Sequence, residues 1–482
     1  MYANPFQVSL ECLIGVSGIL GHRLEERHTV RDAQDPEIVS HVQKGSSVEL
    51  RSRRQQQELF CVAPIDILVT EDGGRKQFHI IELNGTGIGG LTNIYEQAVG
   101  CVLEGLMEMG KNLREEVPVV LVASSGLESE QAPRRNKLIY EKILYAEALR
   151  RGFEGRGQPA VISTVTQMRD APWEMNNAQP TILVGYMKEF LRFLRPETDG
   201  KLRIFGRPVD AAANDRFCLN LVQEFGGMLD LQQLQTMNRC FLPGADKAAC
   251  YQLLNEFLEA NPTSLTRRVD YELAQTRDEL IATVLDWVKQ GRKTVIKPQG
   301  TGLGHGIEFF LTQYESEDRI IARIDGSLQL TERYYGLQGG ALPYTVCEFL
   351  DTLVVSQPGH PMCGRKFELR VVVYRDGNTL KAFPSIAKVA SEIYNADQPS
   401  HLSLINNITA SAVAKQTAGF EHMLPLCRPD TLDLLGLTPD DLHDVALLVT
   451  RFTRYVLDQT LDSPAKLGLP ESSVEVPIVM PK

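Results

Sequence analysis

The segment FHIIELNGTGIGG, residues 78 to 90, sets a carboxylate, Glu82, and a carboxamide, Asn84, at the end of an apolar run and directly before glycines. Side chains alternate along a strand, so these two oxygens point the same way. An oxygen pair facing a glycine-rich turn suits a hard cation beside a bound phosphate. Just upstream, FCVAPIDILV reads as a strand carrying Asp66, TEDGGRKQ as a turn and FHIIELN as the returning strand of a hairpin.

A second chemical segment is TVIKPQGTGLGHGIEFF, residues 294 to 310, in which a strand ends at Lys297-Pro298. A loop of Gly300, Thr301, Gly302, Gly304, His305 and Gly306 follows. Glycines let backbone N–H groups approach phosphate oxygens, and a lysine on a strand adds a fixed cation. The spacing imitates a dinucleotide GxGxxG, but GIEFFL reads as a strand where that motif needs a helix. The plainer alternative is an ordinary glycine-rich hairpin loop.

Three weaker patterns lie downstream. YTVCEFLDT places Glu348, Phe349 and Leu350 at a strand end, where backbone groups could pair with an adenine edge and Glu348 with its amino group or the ribose. A solvent-facing glutamate is the plain alternative. In GRKFELRVVVYRDG, Glu368 and Arg370 share one strand face, either as an internal ion pair or with the guanidinium turned toward a carboxylate or acyl phosphate. SLINNITAS offers Asn406 and Asn407, for which turn capping is the simpler role. Histidines 305, 360, 401 and 443 have no ligand spacing, and no GxSxG, Walker A or Cys-His signature occurs.

The positioning elements follow from periodicity. From about residue 117 strands and helices alternate: VPVVLVASSG, the helical RRNKLIYEKILYAEALRRG closed by Gly152, then AVIST, TILVGY and RIFGRPVDAAAND. Such βαβ alternation predicts a small, mostly parallel sheet. Residues 216 to 290 read as helix-rich, including RDELIATVLDWVKQG with Gly291 marking its end. Strands KTVIKP, GIEFFL, YTVCEFL and a hairpin FELRVVVYRDGNTLKAF turning at Asp376-Gly377 come next. TPDDLHDVALLVTRFTRYVL is an amphipathic helix with Thr438 as N-cap and Leu442, Val445, Ala446, Val449, Phe452 and Val456 on the buried face.

Bulk properties bound the class. The 482 residues, 43% hydrophobic and 23% charged, are an ordinary globular composition with room for about two to four units. No apolar run reaches the ~18 to 20 residues that span a bilayer. MYANPFQVSLECLIGVSGIL lacks a basic start and carries Glu11, so no signal peptide and a cytoplasmic location are expected. Nine cysteines without a CxxC pair point to reduced thiols. A net charge of -11 disfavours nucleic acid as a partner while leaving room for a local basic cleft.

Taken in order from Lys297, the lysine strand, glycine-rich lid, Glu348 hinge, FELR strand and Asn-rich segment resemble the ATP-grasp superfamily. In D-alanyl-alanine ligases and ribosomal-protein glutamate ligases, a helix then leads to strands with an aspartate and Glu-x-Asn that bind magnesium. Here the matching Asp66, Glu82 and Asn84 come first, so the chain resembles a circularly permuted member in the manner of eukaryotic glutathione synthetase. Motif resemblance covers roughly 60 to 95 and 290 to 410.

The resemblance implies an α+β, α/β architecture: an ATP-grasp fold with a Rossmann-like α/β domain before it. Residues 1–110 would complete the catalytic subdomain formed by 346–482, with the substrate domain at 111–240 and the lid subdomain at 241–345. It implies ATP and two Mg²⁺ ions as cofactors, and carboxylate and amine substrates joined through an acyl phosphate. A protein or carrier-protein acceptor, or an ATP-binding module or phosphotransferase without ligase turnover, is the alternative, and relatives are often homodimers. Asp66, Glu82 and Asn84 would hold metal. Lys297, the lid, and either Arg216 or Lys247 would hold ATP. Arg370, Lys388, Asn84 and Gly85 would meet substrate, with Arg370, Lys297 and Asn407 catalytic. Position 64 is proline where D-alanyl-alanine ligases have arginine, which passes that task to Arg370.

Overall fold

The computed structural model describes residues 34–51, 60–84, 96–113, 115–124, 137–170, 179–213, 221, 224, 225, 228, 229, 233–238, 247–299, 301, 304–312, 314–335, 342–404 and 422–459. Among these, strands from the first hundred residues and from the last third join in one antiparallel sheet. Its order is Val48–Glu49, Thr379–Val389, Phe367–Asp376, Val62–Asp72 and Arg75–Leu83, with Met423–Pro425 beside Thr379–Val389. Both expected hairpins form, and they turn through left-handed glycines, Gly73 and Gly74 in the first and Gly377 in the second.

Helix Pro439–Gln459 covers one face of this sheet and buries Leu442, Val445, Ala446, Val449, Phe452 and Val456. Thr438 caps it: its hydroxyl accepts from the Asp441 N–H at 3.1 Å, and the Asp441 carboxylate accepts from the Thr438 N–H at 2.8 Å. Ile65, Ile67, Leu369, Val371, Ala387 and Val389 enter the same core. Strand alternation then turns Asp66, Arg370 and Lys388 to the opposite face. Helix Lys247–Ala260 also sends Leu254 and Phe257 into this core, which ties it to the sheet.

A second sheet is wholly parallel, in the order Gln235–Thr236, Ala211–Ala212, Val119–Ser124, Thr181–Tyr186 and Val161–Thr164. Helices Glu96–Asn112 and Lys137–Gly155 pack on one face, and Val165–Asp170 and Met187–Phe193 on the other. Two details differ from the sequence expectation. Helix Lys137–Gly155 does not stop at Gly152. There it crosses helix Glu96–Asn112 so closely that a Cβ on Gly152 would lie 2.3 Å from the Met107 carbonyl oxygen. Gly152 therefore permits a close approach and does not terminate the helix. RIFGRPVDAAAND divides into Leu202–Ile204, Arg207–Pro208 and Ala211–Ala212, because Phe205 and Gly206 both take left-handed φ and reverse the chain.

The third sheet is antiparallel, in the order Tyr271–Ala274, Tyr344–Glu348, Thr294–Pro298 and Glu308–Phe310. GIEFFL is thus a strand, as the rejection of the dinucleotide motif required. The helix-rich stretch holds helices Lys247–Ala260 and Arg277–Lys289 with strand Tyr271–Ala274 between them. Helix Glu317–Tyr335, unanticipated from the sequence, packs behind this sheet. Its buried stripe runs Ile320, Ile324, Ser327, Thr331, and the last two hydroxyls each lie 2.9 Å from the Tyr344 hydroxyl. Half of that stripe is polar, which hides the helical period from a hydrophobicity reading.

Candidate functional site

Register sets the first half of the site. Asp66 lies directly across from Glu82 on one neighbouring strand and from Arg370 on the other. Arg370 grips it with two parallel bonds, Nε to Oδ1 at 2.8 Å and Nη2 to Oδ2 at 2.7 Å. Lys388 Nζ is 3.1 Å from Asp66 Oδ2 and also pairs with Glu368. Asn84 Nδ2 donates to Asp66 Oδ2 at 3.1 Å, while its backbone N–H donates to the Pro64 carbonyl at 2.8 Å and extends the ladder.

Asp66, Asn84 and Lys388 are buried and Arg370 and Glu368 largely so, so their charges act strongly on one another. Burial pushes the Asp66 carboxyl up, but the adjacent Arg370 and Lys388 together outweigh it and hold the group well below the usual carboxylate range. Glu368 goes the other way: burial raises it, the Asp66 charge adds to the rise, and Lys388 and Arg370 only partly offset it. Asp66 and Glu368 thus share two cations unequally, with Asp66 the firmly ionised member.

A single helix supplies the second half. Lys247, the first residue of helix Lys247–Ala260, places Nζ 3.6 Å from Glu82 Oε1. One turn later on the same face is Tyr251, whose hydroxyl accepts a bond from Lys297 Nζ at 2.6 Å. The ammonium also sits 5.3 Å from the centre of the Tyr251 ring. Burial, reinforced by Cys347, Cys250 and Glu82, keeps the phenol neutral. Lys297 is therefore held by an uncharged partner, and among the described residues no carboxylate lies within ion-pair distance of it.

The loop after Lys297 is shaped by Gly304 and Gly306, both left-handed. A Cβ on Gly306 would meet Thr331 Oγ1 at 2.3 Å and Pro298 Cγ at 2.9 Å, so only glycine fits. The Thr301 hydroxyl donates within the loop to the Pro298 carbonyl at 3.3 Å. Burial lowers the His305 pKa. Beside the lysine strand, Glu348 receives two bonds from Arg267, at 2.6 and 2.8 Å, and one from the Asp270 N–H at 2.9 Å. The Phe349 N–H donates to the Lys293 carbonyl at 2.9 Å, and Leu350 is buried beside it. Arg216, Gly300, Gly302, Gly85 and Asn407 lie outside the described residues.

The structure thus brings together Asp66, Asn84, Arg370 and Lys388 in one cluster, and Glu82, Lys247 and Lys297 in an adjoining one. Glu368, expected to share a strand face with Arg370, pairs with Lys388. Tyr251 and Arg267 were not singled out from the sequence: Tyr251 could have been found from its i+4 spacing to Lys247, whereas Arg267 carries no local signal. Glu82 and Asn84 offer the oxygen donors that magnesium takes. Asp66 fits a metal less simply, since both of its oxygens already accept from cationic groups. Among the described residues, no three His, Cys, Asp or Glu side chains gather as a metal site.

Neither a known family nor a curated protein matches this sequence. Among solved structures, it is similar to a glutathione synthetase-like effector from Globodera pallida, with 12% identity and a TM-score of 0.32 over 78% of this chain and 85% of that one. It is also similar to D-alanyl-alanine synthetase A from Vibrio cholerae, with 12% identity and a TM-score of 0.28 over 70% of this chain and 99% of that one. At TM-scores this low the likeness decides neither fold nor chemistry, which have to come from the residues themselves.

Proposed function

We propose that this chain is an ATP-dependent carboxylate-amine ligase of the ATP-grasp kind, circularly permuted, acting on an amino acid or small peptide. The observation that carries the reading is the single turn of helix Lys247–Ala260 that contacts Glu82 through Lys247 and Lys297 through Tyr251. It draws a carboxylate from the start of the chain and an ammonium group from its second half to one place.

In this reading the substrate carboxylate attacks the γ-phosphorus of ATP, releasing ADP and leaving an acyl phosphate. The amine nitrogen then adds to the acyl carbon, loses a proton and expels phosphate. The physical difficulty is the approach of two anions. Lys297, held by a neutral phenol, keeps its charge for the phosphates. Glu82 and Asn84 would hold magnesium, whose chemistry is to neutralise phosphate oxygens. Arg370, fixed in plane by Asp66, faces the acyl oxygen and strengthens its bond as that atom gains charge. Lys388 orients the substrate from beside it. The loop from Gly300 to Gly306 closes over the triphosphate and excludes water from the acyl phosphate. The proposed organisation pairs 1–110 with 346–482 as the catalytic subdomain, with 111–240 binding substrate and 241–345 forming the lid.

The test is ADP release by the full chain with magnesium, ATP and pooled amino acids, followed by mass detection of the product. The expected result is a product one water lighter than its two precursors, with turnover lost in Lys297→Ala and in Glu82→Gln while both variants stay folded. Normal amino-acid-dependent ADP release by Glu82→Gln would refute the reading.

A further inference from the structure

The outer face of helix Pro439–Gln459 carries charge that the ligase chemistry does not use. Arg451 and Arg454, one turn apart, stand there beside Arg51, which follows strand Val48–Glu49. Together with Ser47, Glu49 and Asn261 they line a cleft of about 500 Å³. The sheet separates this cleft from the charged cluster, because Ile65 and Ile67 face the helix while Asp66 faces away.

Three features of the cleft point to an anion. First, it concentrates positive charge in an acidic protein: three guanidinium groups against the one carboxylate of Glu49, in a chain of net charge -11. Second, two of these charges are not neutralised from within, since neither Arg451 nor Arg454 makes a hydrogen bond or ion pair among the described residues. The groups repel one another instead: burial lowers the Arg454 pKa, Arg51 and Arg451 lower it further, and Asp458 alone opposes them. Third, the volume falls within the range of small-ligand sites, about 300 to 1,000 Å³, yet the lining is mostly polar, with Val48 and Leu447 its apolar side chains. A concave, polar cluster of three arginines, two of them without an ion-pair partner among the described residues, suits a compact ligand with several negative charges. Guanidinium forks match phosphate oxygens in pairs.

We propose that this cleft is a second binding site, independent of the ligase centre, for a small oligophosphate anion, either inorganic or the phosphate chain of a nucleotide. Arg451 and Arg454 bind the outer phosphates, Arg51 closes the third side, and the Ser47 hydroxyl donates to a bridging oxygen. Ligand bound here would be read through charge more than through shape, so affinity falls steeply as salt rises.

The experiment is calorimetric titration of the full chain with inorganic tripolyphosphate, and in parallel with ATP, in a Lys297→Ala background that weakens the other anion site. The expected result is one saturable site, weakened at least tenfold by adding Arg451→Ala and Arg454→Ala, with the thermal midpoint unchanged. Arg277→Ala, which removes an exposed arginine elsewhere, leaves it intact. Equal affinity for both ligands assigns recognition to the phosphates alone, and tighter ATP binding adds a nucleoside contact. The proposal is overturned if the Lys297→Ala protein shows no saturable site, if the arginine pair can be removed without effect, or if Arg277→Ala weakens binding equally. Because the readout is binding, it stands or falls separately from ligase turnover.

Discussion

Asp66 and Arg370, 304 positions apart in the chain, are joined by two parallel hydrogen bonds of 2.8 and 2.7 Å between directly opposed residues of adjacent strands. The pair welds the first hundred residues to the last third. Asp66 and Glu368 balance Arg370 and Lys388, so the cluster is neutral only while all four are present. Replacing Asp66 by Asn leaves two buried cations facing one carboxylate. Breaking such a buried pair costs about 3 to 5 kcal/mol. Urea unfolding of Asp66→Asn should show a loss of that size, and a second change, Arg370→Met, should recover part of it. A change below about 1 kcal/mol in the single variant would mean that the pair does not hold the sheet.

His79 makes the fold acid-sensitive. It is fully buried, its Nε2 lies 2.9 Å from the Thr70 hydroxyl, and its Nδ1 has no partner. Burial, with Arg267 adding to it, lowers its pKa to about 4. A base whose folded pKa lies below its unfolded value of about 6.5 binds protons first in the unfolded state. Stability is therefore fully present above about pH 6.5 and is lost as pH falls from there toward about 4, by roughly 3 kcal/mol. Unfolding measured across that window should flatten in His79→Leu. An unaltered slope would assign the acid sensitivity to other groups.

One substitution should act with opposite signs at two helical glycines. Gly152→Ala would force a methyl to within 2.3 Å of a backbone carbonyl that cannot move without parting two helices. It should destabilise by about 1 to 3 kcal/mol or more. Gly326 lies inside helix Glu317–Tyr335 with nothing within 4 Å of an added Cβ. Gly326→Ala should therefore stabilise by roughly 0.5 to 1 kcal/mol through helix propensity. Matched thermal or urea melts decide both, and equal effects would contradict the close crossing.

Tyr251 holds Lys297 with both its hydroxyl and its ring, and the two can be separated. Tyr251→Phe keeps the ring in place and removes the 2.6 Å bond. A hydrogen bond to a charged group is worth about 1.5 to 3 kcal/mol. Affinity for a non-hydrolysable ATP analogue should fall about tenfold or more, with little change in unfolding midpoint. Unchanged affinity would show that the ammonium finds its place without the phenol.

How far the chain was readable depends on the range of the interaction concerned. Both hairpins were legible, because left-handed glycines and alternating residues act within a few positions. The helix ending near Gln459, its Thr438 cap and all six of its named buried residues were legible for the same reason. Helix Glu317–Tyr335 was not, since Ser327 and Thr331 occupy its buried stripe and find their partner, Tyr344, in another element. Gly152 misled because glycine ends helices and also admits close neighbours, and only the crossing with Met107 tells which applies.

Composition and periodicity by themselves determine the two hairpins, the capped helix Pro439–Gln459 and which way their side chains turn, because those outcomes rest on backbone geometry and adjacent positions. Tertiary structure alone decides that Asp66 is held by Arg370 and Lys388, that Tyr251 carries Lys297 beside Glu82, and that three arginines from two segments share a cleft. Those pairings depend on register between strands hundreds of residues apart and on the packing of one helix across a sheet. The energy that selects them belongs to the assembled core and not to any local stretch of chain.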